Sequence, residues 1–183
     1  MAQYDPGLDP QLQNLPYSLE AEQSVLGGLL LDPESIGTVL EYITKPEMFY
    51  RRQHRELFSV LIGMFNAGKT IDFITVLEEA GRAEIFENSE SAKTYLVQLM
   101  ELVPTVANIT EYCRIVREKY YIRSLMISCA QISEKAAESD VDAGQILDFA
   151  EQRIYDIRQG KDSTALSRVD TVIIEAYDKL LKL

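Results

Sequence analysis

The residues of this chain best suited to phosphate chemistry lie in one octapeptide, Gly63-Met-Phe-Asn-Ala-Gly68-Lys69-Thr70. It matches the nucleotide-binding pattern G-x-x-x-x-G-K-[ST], in which backbone amides and a lysine surround bound phosphates. A working loop of this kind follows a buried strand and opens a helix. Here the residues from Arg52 onwards have helical spacing, and Asp72 is suited to cap the next helix. We therefore predict that the octapeptide ends a helix, with nucleotide binding as the alternative.

The other candidates for catalysis or metal binding are His54, Cys113 and Cys129. His54 is the only histidine, and no partner stands at metal-ligand spacing, so we predict a surface or helix-capping role for it. The two cysteines fall within one predicted helix, roughly 24 Å apart along its axis, which is too far for a disulfide. We expect both to be reduced packing residues. The chain is predicted to hold no catalytic residue, no cofactor and no metal.

Two basic clusters, Arg51–Arg55 and Arg114–Arg123, are the remaining candidates for phosphate contacts. However, 18 Lys plus Arg stand against 29 Asp plus Glu, which gives a net charge of −11. That is the wrong sign for a protein that coats nucleic acid. We expect these cations to pair with neighbouring carboxylates such as Glu111 and Glu118.

The composition of the chain is that of a helical globular protein. Of its 183 residues, 46% are hydrophobic, which is enough for a core, and only 9 are Gly and 6 Pro, too few for many short strands and turns. No run of 18 apolar residues occurs, and the N-terminus lacks the basic start and apolar core of a signal peptide. We predict an all-α protein of the cytoplasm, without membrane contact.

Residues 17–106 are predicted to form a compact helical bundle after a flexible lead-in at residues 1–16. Ser18 is placed to cap the first helix, and Gly27 and Gly28 inside this helix indicate that another helix passes close by. The remaining bundle helices are predicted to open at Asp32-Pro33, at Arg52, at Asp72 and, after a polar loop over 81–91, ahead of Tyr95.

Residues 107–159 are predicted to form a long antiparallel helical hairpin that projects from the bundle. No Gly or Pro interrupts the stretch from Asn108 to about Ser139, and Asp142 is suited to open a second helix after a short link. The hairpin carries more apolar side chains than two helices need to cover each other. The residues predicted to mediate self-association, or docking of another protein, are Ile132, Ile146, Phe149, Ile154 and Tyr155.

Residues 160–183 are predicted to be a linker followed by a separate C-terminal helix. Ser167 and Asp170 fit the cap pattern [ST]-x-x-[DE], and a helix of this length is marginal on its own. Its apolar stripe therefore needs a partner surface. The stripe consists of Val169, Val172, Ile173, Ala176 and Leu180.

Several of these segments, in this order, resemble the N-terminal domain and linker helix of the bacterial replicative DNA helicases of the DnaB family. The resemblance begins at Ser18 with SLEAEQSVLGGLLLD and runs to Leu183. Its other motifs are Phe49-Tyr50 with His54 and Phe58, Val103-Pro104-Thr105 with Ala107-Asn108, Tyr112 with Arg114-Ile-Val-Arg-Glu-Lys119, and Ala150-Glu-Gln-Arg-Ile154. Residues 81–91 depart from it, because they lack the longer basic helix and the Gly-Gly of the family.

The resemblance implies an assembly and primase-docking module, without catalytic residues, of a helicase that unwinds duplex DNA with ATP at the replication fork. It implies pairing of N-terminal domains, a hexamer when full length, contact with primase and with a helicase loader, and docking of the last helix on a neighbouring ATPase domain. ATP, Mg²⁺ and most DNA contacts are expected of the RecA-like ATPase domain, which this chain lacks. Two alternatives stay open: a stand-alone nucleotide-binding protein that uses Gly63–Thr70, and a helical adaptor unrelated to replication.

Overall fold

A computed structural model describes residues 15–103, 106–138 and 142–159. Every regular element in these ranges is helical, so the predicted all-α class is confirmed. The α-helices are α1 (Leu19–Leu31), α2 (Ile36–Tyr42), α3 (Arg52–Asn66), α4 (Phe73–Arg82), α5 (Ser89–Glu101), α6 (Ile109–Ala136) and α7 (Ala143–Gln159). Short 3-10 turns lie at Pro33–Ser35, Pro46–Met48 and Val106–Asn108. The chain divides into two compact units, one up to Tyr120 and one from Tyr121.

Two helix starts in the first unit are set by the side chains predicted to cap them. The hydroxyl of Ser18 accepts a hydrogen bond of 3.3 Å from the backbone N–H of Ala21. The carboxylate of Asp72 accepts from the N–H groups of Ile74 and Thr75, at 2.9 and 3.0 Å, and the Thr75 hydroxyl accepts from the Asp72 N–H. These bonds satisfy N–H groups that have no partner inside the helix, which is why the helices begin there.

Two local predictions are wrong in detail. Asp32 makes no capping bond through its side chain, and Pro33 opens a single 3-10 turn that leads into α2 instead of opening the α-helix itself. Residues 81–91 are not one loop, because α4 continues to Arg82 and α5 begins at Ser89. Asn88 accepts a hydrogen bond of 2.8 Å from the Ser91 N–H and so caps α5 inside the predicted loop.

In the core of the first unit, α1 packs closely against α5. A Cβ atom added to Gly27 would lie 2.1 Å from the carbonyl oxygen of Leu99 and 2.8 Å from the side chain of Val103. The prediction that another helix passes close to Gly27 is therefore confirmed. The largest wholly buried apolar side chains of the unit are Leu26, Leu29, Ile36, Ile43, Phe49, Leu57, Phe58, Leu61, Leu96 and Leu99.

The two cysteines differ in their surroundings. Cys113 is buried in the core of the first unit, as predicted for a packing residue, and burial raises the pKa of its thiol to about 12. Cys129 is exposed on α6 in the second unit, so the packing prediction is wrong for it. Since a thiolate forms with difficulty at Cys113, Cys129 is the more reactive of the two thiols.

In the second unit, α7 runs antiparallel to residues 121–136 of α6. The Nζ atom of Lys135, near the end of α6, lies 4.5 Å from the ring centre of Phe149, near the start of α7. At the other end, Tyr121 and Arg158 line the same groove. The predicted antiparallel pairing is thus confirmed for residues 121–136 and α7. The earlier part of α6 belongs to the first unit, where Ile109, Cys113 and Val116 are part of the core. The predicted linker helix, within residues 160–183, lies outside the described residues.

Candidate functional site

The octapeptide Gly63–Thr70 has the geometry of a helix end. α3 stops at Asn66, and Gly68 has a φ of +63°, which glycine adopts without steric cost. The N–H groups of Gly68 and Lys69 donate to the carbonyl oxygens of Phe65 and Met64, at 3.0 and 2.9 Å. Amides that already donate inside the chain are not directed at a phosphate. The predicted helix stop is confirmed.

Lys69 is also engaged at its side chain. Its Nζ lies 2.8 Å from the carboxylate of Glu79 on α4, and this hydrogen bond lowers the pKa of Glu79. A phosphate-binding lysine needs a free ammonium group facing the phosphates. Here the ammonium group of Lys69 is bonded to the carboxylate of Glu79 instead of facing a phosphate.

We therefore expect calorimetric titration of the chain with Mg-ATP to show no binding heat. The same result is expected for the Lys69→Ala variant, because the wild-type ammonium group is already paired with Glu79. Micromolar binding by the wild-type chain that Lys69→Ala abolishes would contradict the helix-stop interpretation and restore the nucleotide-binding alternative.

His54 lies at the centre of a buried hydrogen-bond network, so the predicted surface or capping role is wrong. The residue is 0% exposed. Its Nδ1 lies 2.5 Å from the carboxylate of Glu22 on α1, and its Nε2 lies 2.6 Å from the hydroxyl of Tyr95 on α5. Glu22, itself 1% exposed, also accepts from the backbone N–H groups of Tyr50 and Arg51, at 2.5 and 3.4 Å.

This network joins a carboxylate, an imidazole and a hydroxyl in the order found in hydrolases, but its position gives it another role. His54 has no exposed surface through which a substrate could reach its ring. Its hydrogen bonds instead tie α1 and α5 to the start of α3. One feature of the sequence could have indicated this network. Glu22 lies on the apolar face of α1, three, four and seven residues before Val25, Leu26 and Leu29, so its carboxylate had to be buried with them.

The basic residues of the first unit contact carboxylates and tyrosine rings. Arg114 lies 3.3 Å from Glu111, as predicted. The guanidinium groups of Arg114 and Arg117 stand 5.8 and 4.9 Å from the ring centre of Tyr42, within the range of cation–π attraction. Within the described ranges, no three potential ligand side chains come together to hold a metal ion.

The second unit presents a large apolar surface. Its exposed large apolar side chains are Tyr121, Ile122, Leu125, Met126, Ile127, Leu147, Ile154 and Tyr155. A groove of about 490 Å³ runs between α6 and α7, lined by Tyr121, Ile122, Leu125, Ile154, Ile157 and Arg158. An apolar surface of this extent is typical of a site that binds another protein segment.

The five side chains predicted to mediate self-association do not all lie on this surface. Ile154 is 47% and Tyr155 is 53% exposed, whereas Ile132, Ile146 and Phe149 are half-buried. The Phe149 ring lies between the cations of Lys135 and Arg153, at 4.5 and 4.8 Å, and so belongs to the packing of the hairpin.

The apolar residues of α6 that line the groove were not among those predicted. The sequence did contain an indication of this surface, because the apolar residues of α6 occupy more than one face of the helix.

The described helices and this surface define an all-helical protein whose second unit exposes apolar side chains of α6 and α7. Residues 14–118, more than half of the chain, match the family model described as the DnaB-like helicase N terminal domain. The chain therefore belongs to the DnaB-like helicase N-terminal domain family. Among the described helices, none has the length and hydropathy needed to cross a membrane.

Individual relatives agree with this assignment. The chain is 33% identical over 165 residues to the replicative DNA helicase DnaB of Geobacillus stearothermophilus, covering 90% of this chain and 36% of the relative. The crystal structure of the N-terminal domain of DnaB helicase from Mycobacterium tuberculosis matches with a TM-score of 0.70 and 34% identity, covering 78% of this chain and 99% of that one.

A second solved structure supports the fold. It is that of a DnaB-like replicative helicase, described together with its interactions with primase. It matches with a TM-score of 0.62 and 24% identity, over 85% of this chain and 34% of that one. The chain thus spans about a third of the length of such helicases.

Proposed function

We propose that this chain is the assembly and primase-docking part of a replicative helicase that works in the cytoplasm. In this proposal, ATP-driven unwinding of duplex DNA belongs to a RecA-like domain that follows in the full-length protein. The proposal rests on the family to which the chain belongs and on the length of its relatives. No observation on the chain favours the adaptor alternative.

The observation that carries the proposal is the exposed apolar face of the hairpin. Leu125 is 46% and Leu147 is 64% exposed, on α6 and α7 respectively. Burying such side chains against a second copy removes apolar surface from water on both chains, and twofold pairing presents the same patch twice. Two hairpins in contact are the simplest arrangement that covers this face, and three such pairs make a hexamer.

Charges placed on this face are expected to disrupt pairing. For the double variant Leu125→Glu, Leu147→Glu, sedimentation equilibrium should give a dissociation constant raised about 100-fold or more, because each buried carboxylate costs several kcal/mol unless it is paired. Both residues are exposed in the single chain, so the fold should survive. Ile74→Glu, at a side chain 74% exposed in the first unit, is the matched control and should pair like the wild type.

A monomeric profile at about 100 μM, where a contact of roughly 5 kcal/mol would already be visible, or pairing unaffected by the two glutamates, contradicts this arrangement.

The same proposal extends to the partners that the family resemblance implies. Primase is proposed to dock on the paired domains, a loader to act during assembly, and the stripe of Val169, Val172, Ile173, Ala176 and Leu180 to contact the ATPase domain of a neighbouring subunit. Titration of the chain with primase, with the double glutamate variant as comparison, tests docking. Binding is expected for the wild-type chain and should weaken with loss of pairing.

A further inference from the structure

A second apolar groove lies in the first unit, between α4 and α5, and is called the α5 groove below. Its volume is about 390 Å³, and it is lined by Phe73, Val97, Met100 and Glu101. Val97 is 37% exposed, and the residues that follow Phe73 and Glu101 in the chain, Ile74 and Leu102, are 74% and 52% exposed. Apolar side chains gathered in this way favour a partner that removes them from water.

The segment that forms the α5 groove is strongly acidic. Residues 70–103 include seven Asp and Glu but only two Lys and Arg, so this segment carries a net charge of −5. One of the two cations, Arg82, is already paired with the carboxylates of Glu78 and Glu79 on α4. The charge that remains for a ligand is therefore negative.

Two carboxylates stand on the same side of α5 as the groove. Glu90, Val97 and Glu101 are all exposed, at spacings of seven and four residues, which keep side chains on one face of a helix. Lys93 is a cation on this face, but within the described ranges neither Glu90 nor Glu101 takes part in a salt bridge. Roughly 16 Å of helix separates the two glutamates, and Val97 lies between them.

We propose that the α5 groove binds a basic amphipathic helix of another protein, with aliphatic side chains in the groove and Lys or Arg against Glu90 and Glu101. A helix that lays its apolar face into a groove is a common mode of recognition. The carboxylates select this occupant, because they repel the phosphates of nucleic acids and of anionic lipids. They also disfavour a second copy of the chain, which would bring a further net charge of −11.

The proposal does not depend on the function proposed above. The α5 groove belongs to the first unit, whereas the exposed apolar face of the hairpin belongs to the second. None of the residues that line the α5 groove is among those expected to mediate pairing, so the two kinds of binding are tested by different variants.

A designed peptide of about four helical turns, with Leu on one face and Lys on the other, is the probe for this site. Fluorescence anisotropy of the labelled peptide, titrated with the full chain, measures its binding. We expect binding at least about tenfold tighter than for two comparison peptides. One has the same composition in an order that removes the apolar face, and the other has Glu in place of every Lys.

Val97→Asp distinguishes docking in the groove from attraction by charge alone. An added carboxylate would not weaken purely electrostatic binding of a basic peptide, but in an apolar groove it loses its hydration, so we expect binding about tenfold weaker. Leu147→Asp adds the same charge at an exposed side chain of the hairpin and is the matched control, which should bind like the wild type. Glu90→Gln combined with Glu101→Gln should also weaken binding about tenfold.

Three results would overturn the proposal. The first is equal binding of the basic amphipathic peptide and either comparison peptide. The second is weaker binding with Leu147→Asp but not with Val97→Asp, which would place the peptide on the hairpin. The third is reduced self-association of Val97→Asp in sedimentation, because the groove would then hold a second copy. Sedimentation of the wild-type chain tests the proposed pairing separately.

Discussion

Replacement of His54 by leucine is expected to lower the free energy of unfolding by about 3–5 kcal/mol, the usual cost of removing one partner of a buried polar pair. The variant leaves the Glu22 carboxylate buried, with two backbone N–H donors but without the imidazole. It also leaves the Tyr95 hydroxyl without the ring nitrogen 2.6 Å away. Urea unfolding followed by circular dichroism, at one fixed protein concentration, measures this loss.

Tyr95→Phe is the matched control for the His54 variant, because it removes only the hydroxyl and keeps the aromatic ring beside Phe86. We expect it to cost about 1–3 kcal/mol, the range for one unsatisfied buried group. A loss below about 1 kcal/mol for His54→Leu would mean that the network contributes little to tying α1 and α5 to α3.

The second large effect is expected at Gly27. A methyl group there would lie 2.1 Å from the Leu99 carbonyl oxygen, which belongs to the backbone of α5 and cannot rotate away. Gly27→Ala must therefore separate α1 from α5, and we expect a loss of about 3 kcal/mol or more, at the upper end of overpacking costs. The gain in helix propensity, roughly 1 kcal/mol, is too small to offset it. Thermal and urea unfolding both measure the change.

The control for Gly27 is Gly63→Ala. Gly63 also lies inside a helix, but a Cβ added there meets no atom within 4 Å. Only the propensity effect applies, so this variant should be more stable by up to about 1 kcal/mol. If the two alanine variants shift stability in the same direction, the close contact at Gly27 does not control the packing of α1 on α5.

The features that could be predicted from the sequence are those encoded within a few residues. Ser18 and Asp72 cap helices through bonds to residues two or three positions away. Paired glycines inside a helix indicated a close neighbour, because their cost must be offset by packing. The antiparallel hairpin followed from an uninterrupted helix and a short link.

The features that were missed depend on residues far apart in the chain. His54 and Glu22 are separated by 32 positions and His54 and Tyr95 by 41, and no local pattern indicates that three helices bring them together. The exposure of Cys129 was missed for a related reason. An apolar residue on a helix is buried only if another element covers that side, and the spacing within α6 does not say which sides are covered.

The end of α3 shows why the same two residues, glycine and lysine, can stand in opposite electrostatic surroundings. A glycine followed by a lysine suits the negative end of a helix dipole, where glycine accepts the left-handed backbone and the ammonium group faces unpaired carbonyls. The same two residues suit a phosphate at the positive end of the next helix. The backbone groups that remain unbonded distinguish the two cases. Free N–H groups mark a helix N-terminus, which attracts anions, and free carbonyl groups mark a C-terminus, which attracts cations. At Gly68 the polarity is that of a helix end that attracts cations, so the motif stands at the wrong end of a helix to bind a phosphate.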